Sequence, residues 1–112
     1  MPPRDNQAAL LDILQAAQDI ADFIDGMVME DFLRDKKTQA AVQHQIMIIG
    51  EAAKHLSPLF CEKNAHIPWG VIARMRDRLI HGYFTVDLHV VWDTASESIP
   101  MLRKAIAPLA KN

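Results

Sequence analysis

Apolar residues recur at steps of three and four along most of this chain, the spacing that gives a helix one buried face. The clearest stretch runs over residues 6–27, with Asp5 or Asn6 placed to start a helix and Gly26 placed near its end. Half of the residues are hydrophobic and only 6% are aromatic, which favours helices over sheets. The recurring apolar positions of this first helix are Leu10, Ile13, Leu14, Ala17, Ile20, Ala21 and Ile24.

A second helix is predicted over residues 36–56, with Asp35 as its cap. A connector with one helical turn precedes it over residues 29–34 and is expected to bury Phe32. Gly50 inside a helix indicates that a neighbouring backbone approaches closely. The apolar line of this helix is predicted to be Ala40, Ile46, Ile49, Gly50, Ala53 and Leu56.

Two further helices follow a stretch, residues 59–66, that is expected to be a loop. Pro68 suits the first turn of the third helix and Gly82 its end. Asp87 is placed to cap the fourth helix, in which Pro100 predicts a kink because proline lacks a backbone donor. The buried side of the third helix is predicted to be Trp69, Ile72, Met75 and Leu79, and both tryptophans are expected to lie mainly in the core.

The predicted fold is all-α: an antiparallel up-and-down four-helix bundle with one short extra helical turn. A chain of 112 residues is expected to form one domain over residues 1–112. The polar start lacks the apolar segment of a signal peptide, and the longest aliphatic run, residues 46–49, is too short to cross a bilayer. The single Cys61 cannot form an internal disulfide, so we expect a cytoplasmic protein.

A candidate reaction centre lies in residues 75–83, Met-Arg-Asp-Arg-Leu-Ile-His-Gly-Tyr. Arg76 carries a permanent charge and can bind a phosphate through two parallel hydrogen bonds. His81 has the side chain whose ordinary pKa suits proton transfer near neutrality. Tyr83 offers a hydroxyl that can bind a ligand or be modified. This combination suits phosphodiester chemistry without a metal.

The spacing within this segment separates two of its residues. On a helix, positions 76 and 81 diverge by roughly 140°, whereas positions 76 and 83 lie on nearly the same face. If the helix ends near Ile80 or His81, the histidine sits on the last turn and its side chain can swing around. Alternatively, two copies meeting across a dimer axis would bring Arg76 of one near His81 of the other.

Each residue also has an ordinary structural interpretation. Arg76 could be a helix arginine paired with Asp77 or Asp87, His81 could help to end a helix, and Tyr83 could seal the bundle. The net charge of −2 and the pI of about 6.2 do not indicate a nucleic-acid binder, so RNA contact would depend on a local patch. Arg78 would supply positive charge for that patch, and Arg74 is more easily read as solvated.

The remaining histidines do not form a predicted metal site. His44 and His55 are eleven residues apart, roughly 16 Å along a helix, and His66 and His89 lack acidic or cysteine partners at ligand spacing. Glu51 and His55, four residues apart, are interpreted as an ordinary pair on one helix face. We therefore predict an activity without metal or cofactor.

The segment from Met75 to Phe84 strongly resembles the signature of HepT-like proteins in the HEPN superfamily. Their pattern, R-x-x-x-x-H-x-Y, is matched by Arg76, His81 and Tyr83. The resemblance extends to residues 48–54, 67–69 and 86–92, and so covers nearly the whole chain. Many relatives carry asparagine where this chain has Asp77, a carboxylate that could partly offset the charge of Arg76.

The resemblance implies a helical homodimer that acts as a metal-independent endoribonuclease and as the toxin of a toxin–antitoxin pair. It implies that His81 is the general base or acid and that Arg76 stabilises charge on the phosphate. Beside these two, Arg78 and Asp77 are predicted to be supporting RNA-binding residues. The implied product is a 2′,3′-cyclic phosphate. The implied partner is a minimal nucleotidyltransferase (MntA) that attaches AMP to Tyr83. The alternative function is a non-catalytic dimeric subunit that docks such a nucleotidyltransferase.

Overall fold

The structure, a computed structural model, describes residues 6–81 and 87–110, with the side chains of Ile80 and His81 outside that description. All of the regular secondary structure in these residues is helical, which confirms the all-α prediction. A π-helical turn over Thr94–Ser98 joins the last two helices, and a 3₁₀ turn over Ala107–Leu109 follows them. The helices are α1 (Asn6–Phe23), α2 (Met29–Leu33), α3 (Lys36–Lys54), α4 (Pro58–Lys63), α5 (Trp69–His81), α6 (Leu88–Asp93) and α7 (Ile99–Ile106).

Four long helical segments build the bundle: α1, α3, α5 and a C-terminal segment made of α6, the π-helical turn and α7. Helix α3 packs between α1 and α5, and the C-terminal segment packs along α1. Asn6 and Ser57 exchange two hydrogen bonds of 3.0 and 3.3 Å, so the start of α1 meets the end of α3 and the two helices are antiparallel. Gln7 Nε2 donates to the carbonyl of Leu109 at 3.1 Å, so the 3₁₀ turn after α7 lies beside the start of α1.

The core follows the predicted periodicity in α1, where Leu10, Ile13 and Ile20 are fully buried. In α3 the prediction was wrong for Ala40, which is exposed. Position 40 lies six residues before Ile46 and therefore on a different face. Gln39 takes the inner position instead, and its amide donates to the carbonyl of Phe32 at 2.9 Å, which satisfies a buried polar group.

The connector before α3 forms the short helix α2, and Phe32 in it is completely buried, as predicted. Its ring lies 5.5 Å from the ring of Trp92, centroid to centroid, and ties α2 to α6. Trp92 and Trp69 are only half-buried, so the expectation that both lie mainly in the core was too strong. Trp69 Nε1 donates to the carbonyl of Asn64 at 3.1 Å, which accounts for its place at the rim.

The stretch predicted as a loop, residues 59–66, is helical through Lys63, as part of helix α4. Ser57 Oγ accepts a hydrogen bond from the backbone N–H of Phe60 at 3.2 Å, and Pro58 occupies the first helical turn. The Ser-Pro pair therefore starts a helix rather than only ending the previous one, in agreement with the preferences of both residues for these positions. Helix α1 ends earlier than predicted, at Phe23, and Gly26 has a φ of +77° in the turn that follows.

Helix α5 begins directly after Pro68, and the prediction that Gly82 closes it falls outside the described residues. Asp87 caps α6 as predicted, since its carboxylate accepts from the backbone N–H of His89 at 2.9 Å. The single fourth helix expected to contain Pro100 is divided by the π-helical turn, which ends at Ser98, and α7 starts at Ile99 with Pro100 in its first turn. The kink at Pro100 stays a prediction. None of the described helices is long and apolar enough to span a membrane.

Candidate active site

Arg76 lies where α5 packs closely against α3. A side-chain carbon at Gly50 would collide with Cβ of Arg76, and it would lie 2.8 Å from Arg76 Cγ and 3.3 Å from the carbonyl oxygen of Ile72. Any other residue at position 50 would therefore force the two helices apart. The close approach predicted from Gly50 is confirmed, and the partner that fills the space is the stem of Arg76.

The guanidinium group of Arg76 contacts two carboxylates. Nη2 lies 2.9 Å from Oε2 of Glu51 on α3, and Nη1 lies 3.0 Å from Oδ1 of Asp77 on α5. The Arg76 side chain is 23% exposed, so these contacts are screened less than those of an exposed pair. Of the two partners considered from the sequence, Asp77 is a contact of Arg76, whereas the carboxylate of Asp87 caps α6.

Asp77 has a second cation beside it. Lys54 Nζ lies 3.0 Å from the same Oδ1 atom, so one carboxylate oxygen accepts from Lys54 and from Arg76. The hydrogen bond from Lys54, followed by that from Arg76, holds the pKa of Asp77 below its ordinary value. We call Glu51, Lys54, Arg76 and Asp77 the α3–α5 ion cluster, which contains two cations and two anions.

Glu51 was not predicted to contact Arg76; it was interpreted as a partner of His55. That pair is present but long, with 3.9 Å between Glu51 Oε1 and His55 Nε2. Gly50 carried the signal that was missed. Because Gly50 marks the contact face of α3, Lys54, four residues later, lies on that face. Glu51 lies about 100° around the helix and reaches Arg76 from beside the contact.

The structure leaves two of the predicted site residues partly or wholly undescribed. His81 is the last residue of α5, and the structure describes its backbone but not its side chain. All of Tyr83 lies outside the described residues. Since α5 is helical through residue 81, positions 76 and 81 keep the divergence of roughly 140° expected from the sequence. The roles of His81 and Tyr83 therefore stay predictions.

Arg78 and Arg74 lie on a different side of α5 from the contact with Gly50. Both are exposed, and both line a groove between α5 and the C-terminal segment, together with Val90 and Thr94. Asp77 also borders this groove, so it is the residue that connects the groove with the α3–α5 ion cluster. The structure thus brings Arg76 together with Asp77 but not with Arg78.

The other ionisable candidates are dispersed. Among the side chains that the structure describes, no three His, Cys, Asp or Glu residues lie close enough together to hold a metal ion. His44 and His66 are exposed, and His89 Nδ1 lies 3.3 Å from the sulfur of Met29. Burial raises the pKa of the Cys61 thiol, which keeps it protonated and unsuited to act as a nucleophile near neutrality.

Comparison with known proteins identifies the family. The family model described as "Ribonuclease HepT-like" matches residues 13–109, which include α3, α5 and the ion cluster between them. The chain belongs to the HepT-like family. The resemblance seen in the sequence around Arg76 and His81 is therefore confirmed, together with the membership of the HEPN superfamily that it implied.

Similar proteins span the whole of this HepT-like chain. A protein of Methanocaldococcus jannaschii named "Putative RNase MJ0127" is 42% identical over 112 residues, which cover 100% of this chain and 93% of that protein. A protein of Thermococcus cleftensis named "Probable ribonuclease HepT" is 45% identical over 108 residues, which cover 96% and 98% of the two chains. No solved structure matches this chain. Ribonuclease is therefore the class of activity that the family indicates.

Proposed function

We propose that this HepT-like protein is a metal-independent endoribonuclease and the toxin of a toxin–antitoxin pair. One observation carries the catalytic part of the proposal. A guanidinium group is fixed at the α3–α5 contact, on the same helix whose last residue is the motif histidine. A positioned cation of this kind stabilises the charge that develops on a phosphate during cleavage. The family and the names of its relatives support RNA as the substrate.

In the proposed reaction His81 removes the proton of a ribose 2′-hydroxyl. The 2′-oxygen attacks the adjacent phosphorus, the bond to the 5′-oxygen of the next nucleotide breaks, and that oxygen takes up a proton from water. The protonated His81 then returns its proton to the solvent. The products are a 2′,3′-cyclic phosphate and a free 5′-hydroxyl. Arg76 stabilises the phosphate oxygens, and neither step requires a metal.

The proposed active form is a homodimer. Positions 76 and 81 diverge by roughly 140° around one α5 helix, so a cleft between two copies is the simpler way to present both groups to one phosphate. A homodimer is expected in light scattering at micromolar concentration. A sample that is entirely monomeric under those conditions would contradict this part of the proposal.

The proposed antitoxin is a minimal nucleotidyltransferase of the MntA type. In the step it would catalyse, the phenolic oxygen of Tyr83 attacks the α-phosphorus of ATP, an O–P bond forms, and pyrophosphate leaves. Tyr83 is two residues after His81 in the chain, which supports this assignment because the modification would add a bulky anion to the motif that carries the proposed base. Co-expression with the nucleotidyltransferase should add the mass of one AMP group, and a Tyr83→Phe variant should not gain it.

A second candidate function is a non-catalytic dimeric subunit that docks a nucleotidyltransferase. The ion cluster favours it, because Glu51 and Asp77 neutralise Arg76 in the form of the protein seen here. The two functions differ in what purified protein does to RNA.

The deciding experiment is RNA cleavage by purified protein in the presence of a chelator. Wild type is compared with His81→Ala, and His44→Ala serves as a control at an exposed histidine of α3. Intact mass must first show that Tyr83 is unmodified. We expect cleavage by wild type and by His44→Ala and its loss in His81→Ala. Intact RNA in all three samples would reject the ribonuclease and favour the docking subunit.

A further inference from the structure

The two carboxylates that contact Arg76 differ in the number of other contacts that hold them in place. Asp77 accepts hydrogen bonds from Lys54 and from Arg76 on one oxygen, so its position is fixed from two sides. The Glu51 side chain is 52% exposed, and the other contact of its carboxylate that the structure describes is His55 at 3.9 Å, beyond hydrogen-bond length. Glu51 is therefore the partner that can leave more easily.

The direction of the Arg76 side chain does not depend on Glu51. Its first two side-chain carbons pack against Gly50, and Asp77 holds Nη1 at 3.0 Å. If Glu51 moved into solvent, Nη2 would still point from α5 across the face of α3. The group would then be an unpaired, half-buried donor with a full positive charge, and such a donor requires a new acceptor.

A phosphate can take the place of a carboxylate on a guanidinium group. Both present oxygen acceptors in a geometry that matches the donors of arginine. We propose that Glu51 occupies Nη2 of Arg76 in the RNA-free protein and is the ligand that an RNA phosphate replaces. Glu51 then acts through Arg76, as the competitor that keeps Nη2 occupied until RNA binds. The inference rests on the proposed function only in taking RNA as the phosphate donor.

The exchange has a distinctive energetic consequence. In the RNA-free protein the two carboxylates and two cations of the ion cluster balance, so Arg76 attracts a distant phosphate weakly. Removing the charge of Glu51 leaves the cluster with a net positive charge and removes the competitor for Nη2. RNA binding should therefore become tighter when Glu51 is changed, whereas the loss of a residue needed only for folding would weaken it.

The test measures binding of an RNA that cannot be cleaved. A fluorescent 2′-O-methyl RNA dodecamer is titrated with the full chain at low salt, and fluorescence anisotropy gives Kd. The variant is Glu51→Gln, and Glu62→Gln is the matched control, because Glu62 is an exposed glutamate on α4 and the change in charge is the same. Both substitutions are also made in a protein that carries Arg76→Met. Methionine retains the side-chain carbons that pack on Gly50 but has no guanidinium group.

We expect Glu51→Gln to lower Kd by about threefold to tenfold, which is the size of one ion-pair contribution at a partly exposed site. Glu62→Gln should stay within about twofold of wild type, and Glu51→Gln should have no effect once Arg76 is methionine. For cleavable RNA, Glu51→Gln should lower KM and leave kcat within about twofold, because it removes a competitor for ground-state binding.

Several results would overturn the inference. Binding by Glu51→Gln that equals or falls below that of wild type would do so, as would an equal gain from Glu62→Gln or a gain that persists with Arg76→Met. Absence of binding by wild type and Glu51→Gln alike would also reject it. If the gain is found while unmodified RNA stays intact in the chelator assay, the ribonuclease proposal fails and the exchange at Glu51 stands.

Discussion

Arg76 and Gly50 share one volume at the α3–α5 contact: the stem of the arginine lies where a side chain at position 50 would be. The contact links a structural requirement to the proposed chemistry. Because Gly50 has no side chain, α3 and α5 can approach closely. The same close approach fixes the position of the stem that carries the guanidinium group of Arg76. A change at Gly50 should therefore affect both the stability of the fold and the position of Arg76.

The first prediction concerns Gly50→Ala. The added methyl group collides with the stem of Arg76, so we expect a loss of about 1–3 kcal/mol in the free energy of unfolding, as for other overpacked contacts. Gly70→Ala is the control, because its new carbon would lie 3.4 Å from the mobile end of Arg74 and alanine favours helices by up to about 1 kcal/mol. Urea unfolding of both variants checks this; equal stabilities for the two variants would contradict the shared volume.

The second prediction concerns the pH dependence of the ion cluster. Lys54 and then Arg76 lower the pKa of Asp77 below 3.8, so the ionised form of Asp77 is favoured in the folded protein. This contribution to stability is present above the pKa of the unfolded chain and is lost as the pH falls through the lower pKa of the folded state. Asp77→Asn should therefore be less stable than wild type at pH 7, and the difference should shrink toward zero in strong acid.

Urea unfolding of wild type and Asp77→Asn at a series of pH values measures this difference. Asp25→Asn, an exposed aspartate in the turn after α1, is the control for a general loss of negative charge. A stability difference for Asp77→Asn that does not change with pH would show that Asp77 acts through packing instead of charge.

The third prediction concerns Phe32, which is completely buried and lies against Trp92. Phe32→Ala leaves a cavity between α2, α3 and α6 and should lower the free energy of unfolding by about 3–5 kcal/mol. Phe23→Ala is the matched control, since this ring is 39% exposed at the end of α1 and its loss should have a much smaller effect. Thermal and urea unfolding should rank the two variants in this order; the reverse order would contradict the position of α2 as part of the core.

The fourth prediction concerns Ser57, whose hydroxyl accepts from the backbone of Phe60 and from the side chain of Asn6. Ser57→Ala removes the cap of α4 and one bond between the ends of α1 and α3. We expect a loss of about 1 kcal/mol in the free energy of unfolding. Ser98→Ala, at an exposed serine of the π-helical turn, should change stability by less than half as much. Similar losses for both serines would argue against the capping role.

Sequence patterns predicted the helices well where one signal dominated. The structure has the predicted apolar periodicity in α1 and the predicted buried ring of Phe32. It also has the predicted helix caps at Asp35 and Asp87. Prediction failed where one signal had two meanings. Ser57-Pro58 ends α3 and also starts α4. Ala40 and Gln39 are neighbours in the chain, and it is Gln39 that takes the inner position of α3. Spacing along one helix cannot decide such cases, because the neighbouring helix determines which face is inner.

The sequence by itself determined the helical class, the family signature around Arg76 and the close contact at Gly50. These depend on local preference and on residue identity, which are read directly from the chain. Only the tertiary structure decided that Arg76 packs on Gly50, that Glu51 and Asp77 share its guanidinium group, and that Arg78 faces a separate groove. Residues 51 and 76 lie far apart in the chain, so their pairing follows from the way α3 and α5 pack, which no local pattern specifies.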